Sequence, residues 1–445
     1  MQPLIAAVAV AAAVATSVQA PRLTVYSRDL AFVRETRTLE LGGGASPDTV
    51  LLGDVSRGLD VSSARLVPDG SARIDRLAWR FDVASGDELL ERSLGQRVRV
   101  TSKGERVTEG VLVASDGAWL LVRVDDGSIS ALSRAAVEDV RLAKPARPLS
   151  LRPTLEAVVT GGRGSVRAEL SYLTGGLSWG AEHTVVRSGE TGATWSTNVR
   201  IDNTSGVDFR NAQLKLVAGE PRRTGGVPQP MPMLRTMVTM EAAQAKSADF
   251  SEGAFSEYHL YTLDRPATLR DRETQILTML EPRTVKVTPR YFYRSGAGGV
   301  TAQLDVTNTK AQGLGVPLPA GRVRFFERDA DGDLQFTGET TINHTPEGDT
   351  ATLDVGTVFD LTAERKELSN KRISDREREV QVEIQLRNRK KTDVTVVVEE
   401  PLSSDSEILQ KTHEPVRKDS GTVRFDVPVK AGQVATLRYT ARLRY

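Results

Sequence analysis

Four methionines, Met231, Met233, Met237 and Met240, fall close together in a chain that has six. Thioethers are soft donors suited to Cu(I), and they are also adaptable apolar contacts. Three readings fit: a loop pinned onto a sandwich by its methionines, which is the plainest, a partner-binding surface, or a Cu(I) site. Asp329, Asp331 and Asp333 alternate as at the start of a calcium loop. Such a loop wants glycine at its sixth position and glutamate at its twelfth, where this chain has Leu334 and Thr340. The segment therefore reads as a hairpin turn. His183, His259, His344 and His413 are far apart in sequence and lack paired metal spacing, so each reads as a surface or core histidine. Gly161-Gly162-Arg163-Gly164 looks like a phosphate cradle, but no helix follows it, and a turn is expected. No nucleophile elbow, phosphate loop or zinc-protease helix is present. The chain has no cysteine, which excludes disulfides, thiolate metal sites and a cysteine nucleophile. No catalytic, cofactor-binding or metal residue is assigned, no cofactor is expected, and the methionines mark a possible interaction loop.

The elements that must position these residues are strands. Val166, Ala168, Leu170 and Tyr172 alternate with polar residues, as do Trp195, Thr197, Val199 and Ile201, and again Val380, Val382, Ile384 and Leu386. A period of two with one polar face marks half-buried, usually antiparallel strands. Asp69-Gly70, Asp116-Gly117, Asp126-Gly127 and Asp331-Gly332 are tight-turn pairs. Short helices are expected only near Glu88–Leu94 and Ala363–Lys371. The fold class is all-β.

The chain has 445 residues, enough for about three domains. With 59 basic against 58 acidic residues its net charge is +1, so no global field draws it to nucleic acid or an anionic membrane. Residues 1–20 read as a signal peptide, because Leu4–Ala15 is wholly apolar and small residues follow it. Residues 21–86 form a small N-terminal β unit. Five short strands within 87–145 resemble an SH3-like small barrel, with Trp119 expected inside it. Residues 146–373 form a β-sandwich domain interrupted by a long Pro- and Gly-rich loop at 220–257, and 374–445 form a C-terminal β-sandwich part. Leu437, Tyr439, Leu443 and Tyr445 share one face of the last strand. No later stretch is long and apolar enough to span a bilayer as a helix.

Several long motifs stand out. Leu170-Ser-Tyr-Leu-Thr-Gly-Gly-Leu-Ser-Trp179 is the first, followed by Asn203-Thr-Ser-Gly-Val-Asp-Phe209 and Ala212-Gln-Leu-Lys-Leu-Val-Ala-Gly-Glu220. Leu314-Gly-Val-Pro-Leu-Pro-Ala-Gly-Arg-Val-Arg-Phe325, Gly338-Glu339 and Ile342-Asn-His-Thr-Pro346 continue the series. Together they resemble a bacterial exported family, a domain of unknown function also found in mucoidy inhibitor A proteins. The resemblance covers most of 150–445. It implies an exported, mostly β protein and brings no catalytic residues with it. The N-terminal part departs from the mucoidy inhibitor pattern, since the small barrel stands where coiled-coil helices would be. In physical terms Tyr172 and Trp179 are anchors for a sandwich core, and Pro317-Leu318-Pro319 sets an extended lead-in to the strand Arg322–Phe326.

The expectation is an exported envelope protein, periplasmic or extracellular after signal cleavage. It binds or scaffolds an envelope protein or glycan without enzymatic activity. The alternative is a hydrolase whose catalytic residues are dispersed along the chain.

Overall fold

A computed structural model describes residues 13–14, 16–17, 19–44, 46–81, 85–144, 149–219, 221, 250–255, 258–296 and 298–444. The protein is all-β. Among the described residues helix is confined to Gly86–Arg92 and three short 3-10 turns. The chain gathers into two compact units. One comprises the residues up to Ser178 with Asp202–Glu220 and Arg265–Thr274; the other comprises Trp179–Ile201, Pro221–Asp264 and Gln275–Tyr445.

The first unit is built on two sheets. The larger runs, in spatial order, Phe209–Ala218, Arg22–Tyr26, Ala31–Leu41, Gly164–Thr174 and Arg65–Pro68. Eleven antiparallel pairs from Gly164↔Leu41 to Thr174↔Ala31 fix its central register. The smaller sheet runs Ala13–Val14, Asp48–Leu52, Thr154–Thr160 and Arg73–Arg80. Ala13–Val14 lies parallel to Asp48–Leu52, and Thr16–Ser17 lies antiparallel to Ala31–Leu41. The remainder of the apolar run expected as a signal peptide, from Leu4 to Ala12, and Ala15 itself lie outside the described residues.

Between Arg73–Arg80 and Thr154–Thr160 stands a separate five-stranded sheet, ordered Ile129–Ser133, Trp119–Arg123, Arg106–Ser115, Arg97–Ser102 and Val137–Leu142. Four strands meander and the fifth returns to pair with the first. Helix Gly86–Arg92 precedes it. Ser85 caps that helix by accepting from the Glu88 amide at 3.1 Å, and Asp87 and Glu88 sit favourably at its positive end. Val98, Val100, Leu112, Leu120, Val122 and Leu132 form the small core. Trp119 is not in it: its surface is 48% exposed. Strand parity explains the correction. Leu120 and Val122 point inward, so the residue one step before them points to solvent, whatever its size.

Among its described residues the second unit has three sheets of its own and the antiparallel hairpin of Phe250–Phe255 with Tyr258–Leu263. A six-stranded sheet is ordered Thr350–Thr357, Val300–Thr307, Thr288–Arg294, Val394–Pro401, Thr422–Val429 and Pro415–Arg417. It shares one core with a four-stranded sheet of Leu361–Ser374, Glu377–Asn388, Val434–Arg444 and Glu407–Lys411, through Phe425, Val382, Ile384 and Tyr439 among others. A second core joins its Leu304 and Val306 to Val185, Trp195, Val323 and Phe325 of a five-stranded sheet. Leu437 and Tyr439 face inward as their alternation requires, whereas Tyr445 lies outside the described residues. The helix expected near Ala363–Lys371 is instead the edge strand Leu361–Ser374, paired along Glu377–Asn388. The good helix formers in that stretch are overruled by the strongly alternating neighbour they pair with, and their charges suit an exposed sheet edge.

Candidate functional site

The inward face of Ala31–Leu41 carries the buried apolar row Ala31, Val33, Leu39 and Leu41. Glu35 and Arg37 stand in the same phase of the same strand. Two ionisable groups on a core face are costly to bury, so they must satisfy each other. Arg37 Nη2 donates to Glu35 Oε1 at 2.7 Å, and the side chains are 5% and 9% exposed. The neighbouring strand sets Leu170 opposite Glu35 and Tyr172 opposite Val33. Among the described residues Arg37 Nε has no hydrogen-bond partner, and Tyr172 is fully buried beside the pair. Burial pushes the Glu35 carboxyl above its usual range, Arg37 pulls it down, and nearby Asp54 pushes it up again. The Tyr172 phenol is raised by burial and by the charge of Glu35.

Glu35 and Arg37 lie in the wall of a cleft of about 1120 Å3 contained in the first unit. Both sheets contribute. Asp54 and Arg57 come from the loop after Asp48–Leu52, and Phe81 follows Arg73–Arg80. Leu151 and Arg152 precede Thr154–Thr160, while Asp208 and Arg210 open Phe209–Ala218. Arg152 pairs with Asp54 at 3.1 Å and Arg210 with Asp208 at 3.2 Å. Asp54 holds φ at 54°, a left-handed conformation that places an acidic residue where the chain turns into the cleft.

One wall is the segment Asn203–Phe209, one of the long motifs of the sequence. Its organiser is buried Asn203. The side-chain amide donates to the carbonyls of Val207 at 2.9 Å and Leu269 at 3.0 Å, and its oxygen accepts from the Ser205 amide at 3.0 Å and hydroxyl at 2.7 Å. Asp271 Oδ1 accepts from the Gly206 amide at 2.8 Å, and Asp208 Oδ1 accepts from the Asp271 amide at 3.0 Å. Asp271 and Arg210 hold the Asp208 carboxyl below its usual range, the Asp271 amide contributing most. The Gly175-Gly176 turn of the first motif backs this loop. Gly176 has φ +83°, and a Cβ there would come within 2.6 Å of Ser205 Cα. Two motifs separated in sequence thus meet at one wall of the cleft.

The expected site residues fare differently. Met231, Met233, Met237 and Met240 lie outside the described residues, with most of the loop at 220–257. Asp329 caps a turn: its carboxylate accepts from the Asp331 and Asp333 amides at 3.1 and 3.0 Å and from Gln335 at 2.7 Å. That is the hairpin reading, with Gly321–Arg328 paired to Leu334–Ile342 on either side. Gly161-Gly162-Arg163-Gly164 is a turn leading into the strand Gly164–Thr174. His183 is fully buried in the second unit. Its Nε2 donates to the Pro319 carbonyl at 3.0 Å, which leaves Nδ1 to accept from the Thr197 hydroxyl at 2.9 Å. Burial lowers it to about 4. His344 Nδ1 accepts from the Ala320 amide at 3.0 Å, so His183 and His344 both hold the Pro319-Ala320 lead-in. Among the described residues, no group of three metal-ligating side chains converges.

Sequence reasoning missed the Glu35–Arg37 pair and the buried asparagines. Asn308 donates to the Val316, Thr345 and Pro346 carbonyls, and Asn388 to those of Thr392 and Val429. With Asn203 these make three uses of one device. An asparagine just past or at the end of an alternating strand holds the following loop from inside. The signal was present in the sequence as Asn203-Thr-Ser, Asn308-Thr-Lys and Asn388-Arg-Lys, each directly after an alternating run.

A family model described as a domain of unknown function, DUF4139, matches residues 168–445. No curated protein matches the chain.

Proposed function

The chain belongs to the DUF4139 family, and from that premise we propose that it is an exported, non-enzymatic envelope protein that binds an envelope glycan or protein segment in the cleft of its first unit. The observation that carries the reading is the state of the cleft's carboxylates. Glu35 is held by Arg37, Asp54 by Arg152, Asp208 by Arg210 and the Asp271 amide, and Asp271 accepts from the Gly206 amide. Groups so engaged, the Glu35–Arg37 pair buried and the others at the surface, form a pattern of charge that orients a polar ligand, with Phe81 and Leu151 offering apolar surface beside it. Export rests on the apolar run Leu4–Ala15 and the small residues after it. The kinship with mucoidy inhibitor A proteins rests on the long motifs of 170–346.

A photo-crosslinking residue at Leu151, 72% exposed on the cleft wall, tests the binding reading in intact envelopes. A discrete adduct, lost when Arg152 and Arg210 are both replaced by Ala, is the expected result. Adducts unchanged by those replacements would refute it. Mass spectrometry of the same preparation should find a mature N-terminus between Val18 and Pro21, and an intact Met1 in the envelope would refute export.

The second reading, a hydrolase, is favoured by one observation. Glu35, raised by burial, lies near the exposed Asp54 in one cleft, and two carboxyls in such different surroundings are the pattern of acid–base pairs. Release of soluble fragments from envelope material by the wild type, absent in Glu35→Gln, would support it over binding alone.

A further inference from the structure

The arginines of the cleft are not equivalent. Arg37, Arg152 and Arg210 each hold a carboxylate. Arg57 does not: among the described residues its guanidinium makes no ion pair, and it lies 5.9 Å from the centroid of the Phe81 ring. Its side chain is exposed to solvent and faces the cleft. Its placement is built. The Arg57 amide donates to the Ser205 carbonyl at 2.8 Å, which ties it to the Asn203–Phe209 wall. Gly206, at φ +88°, makes the room, since a Cβ there would come within 2.8 Å of Arg57 Cγ and 2.9 Å of Cδ and Nε. Among the described residues a second donor of the same cleft, the Nε of buried Arg37, makes no hydrogen bond.

We propose that Arg57 is the anion-recognition residue of this cleft and that the ligand presents a carboxylate or other oxyanion to it, with an apolar or planar face against Phe81. The inference rests on the reading of the cleft as a binding site. An arginine 5.9 Å from the centroid of an aromatic ring is attracted to the ring while its N–H donors remain available to a ligand. A planar oxyanion then finds a preformed fork and loses little rotamer freedom in binding it. Because the other cleft cations are already neutralised, the oxyanion adds charge where it is least opposed.

Ligand-observed 19F NMR with the full chain tests this, using three probes of one shape: 4-fluorobenzoate, 4-fluorobenzamidinium and 4-fluorobenzyl alcohol. Saturable broadening of the benzoate is expected, weakened at least about tenfold by Arg57→Gln and much less by Arg57→Lys. Arg141→Gln, which removes an arginine paired with Asp139 at 3.1 Å on the five-stranded insert and outside the cleft lining, should leave binding close to wild type. Displacement by acetate identifies a carboxylate site, and displacement by inorganic phosphate at lower concentration identifies a phosphate site; either supports the proposal. Benzoate binding that is unchanged in Arg57→Gln overturns it. Preference for benzamidinium or benzyl alcohol overturns the anion assignment while leaving the cleft a binding site. Failure of all three probes also overturns it, and the Leu151 crosslink then decides separately whether the binding reading stands.

Discussion

Acidification should destabilise the second unit through His183. In an unfolded chain this imidazole titrates near 6.5; in the fold, burial lowers it to about 4. Its two nitrogens are committed as one donor and one acceptor, with Trp195 Nε1 donating to the same Thr197 hydroxyl at 3.2 Å. The neutral form is therefore the one the fold accommodates. Above pH 6.5 neither state binds the proton and the contribution to stability is whole. Between 6.5 and about 4 the unfolded chain binds it and the fold does not, so stability falls as pH falls. At 1.36 kcal/mol per pH unit, the difference between 6.5 and about 4 corresponds to about 3 kcal/mol. His183→Gln keeps a donor for the Pro319 carbonyl but cannot titrate. Hydrogen exchange of the amides in Gly192–Asn203 reports opening of this part of the unit. The wild type should lose about 3 kcal/mol more than the variant between pH 7 and pH 4. Parallel loss in the two proteins would refute the reasoning, and so would a protonated His183 in the native state at pH 5.5.

Removing one partner of the Glu35–Arg37 pair leaves a buried charge alone, so Arg37→Met should destabilise the first unit by about 3 kcal/mol in thermal unfolding. Adding Glu35→Leu should recover much of that loss. In the five-stranded insert, Leu120→Ala should cost about 2–4 kcal/mol, whereas Trp119→Ser should change stability by less than about 1 kcal/mol; equal effects in urea titrations would contradict the inward and outward assignment. Asn308→Ala removes the donor of the Val316 carbonyl, while those of Thr345 and Pro346 keep the Leu318 and Asp349 amides, and should cost about 2 kcal/mol, with increased proteolytic cutting between Asn308 and Pro317 as the accompanying sign.

The strands were legible because alternation survives in a single sequence. The five strands expected within 87–145 stand there, between Arg97 and Leu142, and Tyr172 and Trp179 are buried as core anchors. What failed was side-chain phase at the end of a strand. Trp119, at the head of the most apolar strand of the insert, reads as inward, whereas parity with Leu120 and Val122 sends it outward. The Ala363–Lys371 helix failed for a related reason, since local propensity carries no knowledge of the partner strand. The cleft was not legible. Its walls come from loops as far apart as Asp54, Arg152 and Asp208, which only the pairing of strands brings together. Yet Glu35 and Arg37 left a trace in the sequence, as charges falling on the apolar phase of Val33, Leu39 and Leu41.

The insert leaves and rejoins its host at neighbouring positions: Arg80 and Thr154 are direct partners in an antiparallel ladder. A ladder that closes beneath its own insertion does not register what stands above it. Replacing residues 81–153 by a tight turn would keep the pairs from Arg73↔Thr160 to Arg80↔Thr154, and the entropy of closing the connection changes only slowly with its length. The five-stranded sheet is in this sense a cassette. A lineage could lose it, exchange it or lengthen it while the hairpin below folds as before. Phe81 and Leu151 stand just where the cassette joins, so such an exchange would rebuild the apolar part of the cleft and leave its charged wall of Glu35, Arg37 and Asp208 in place.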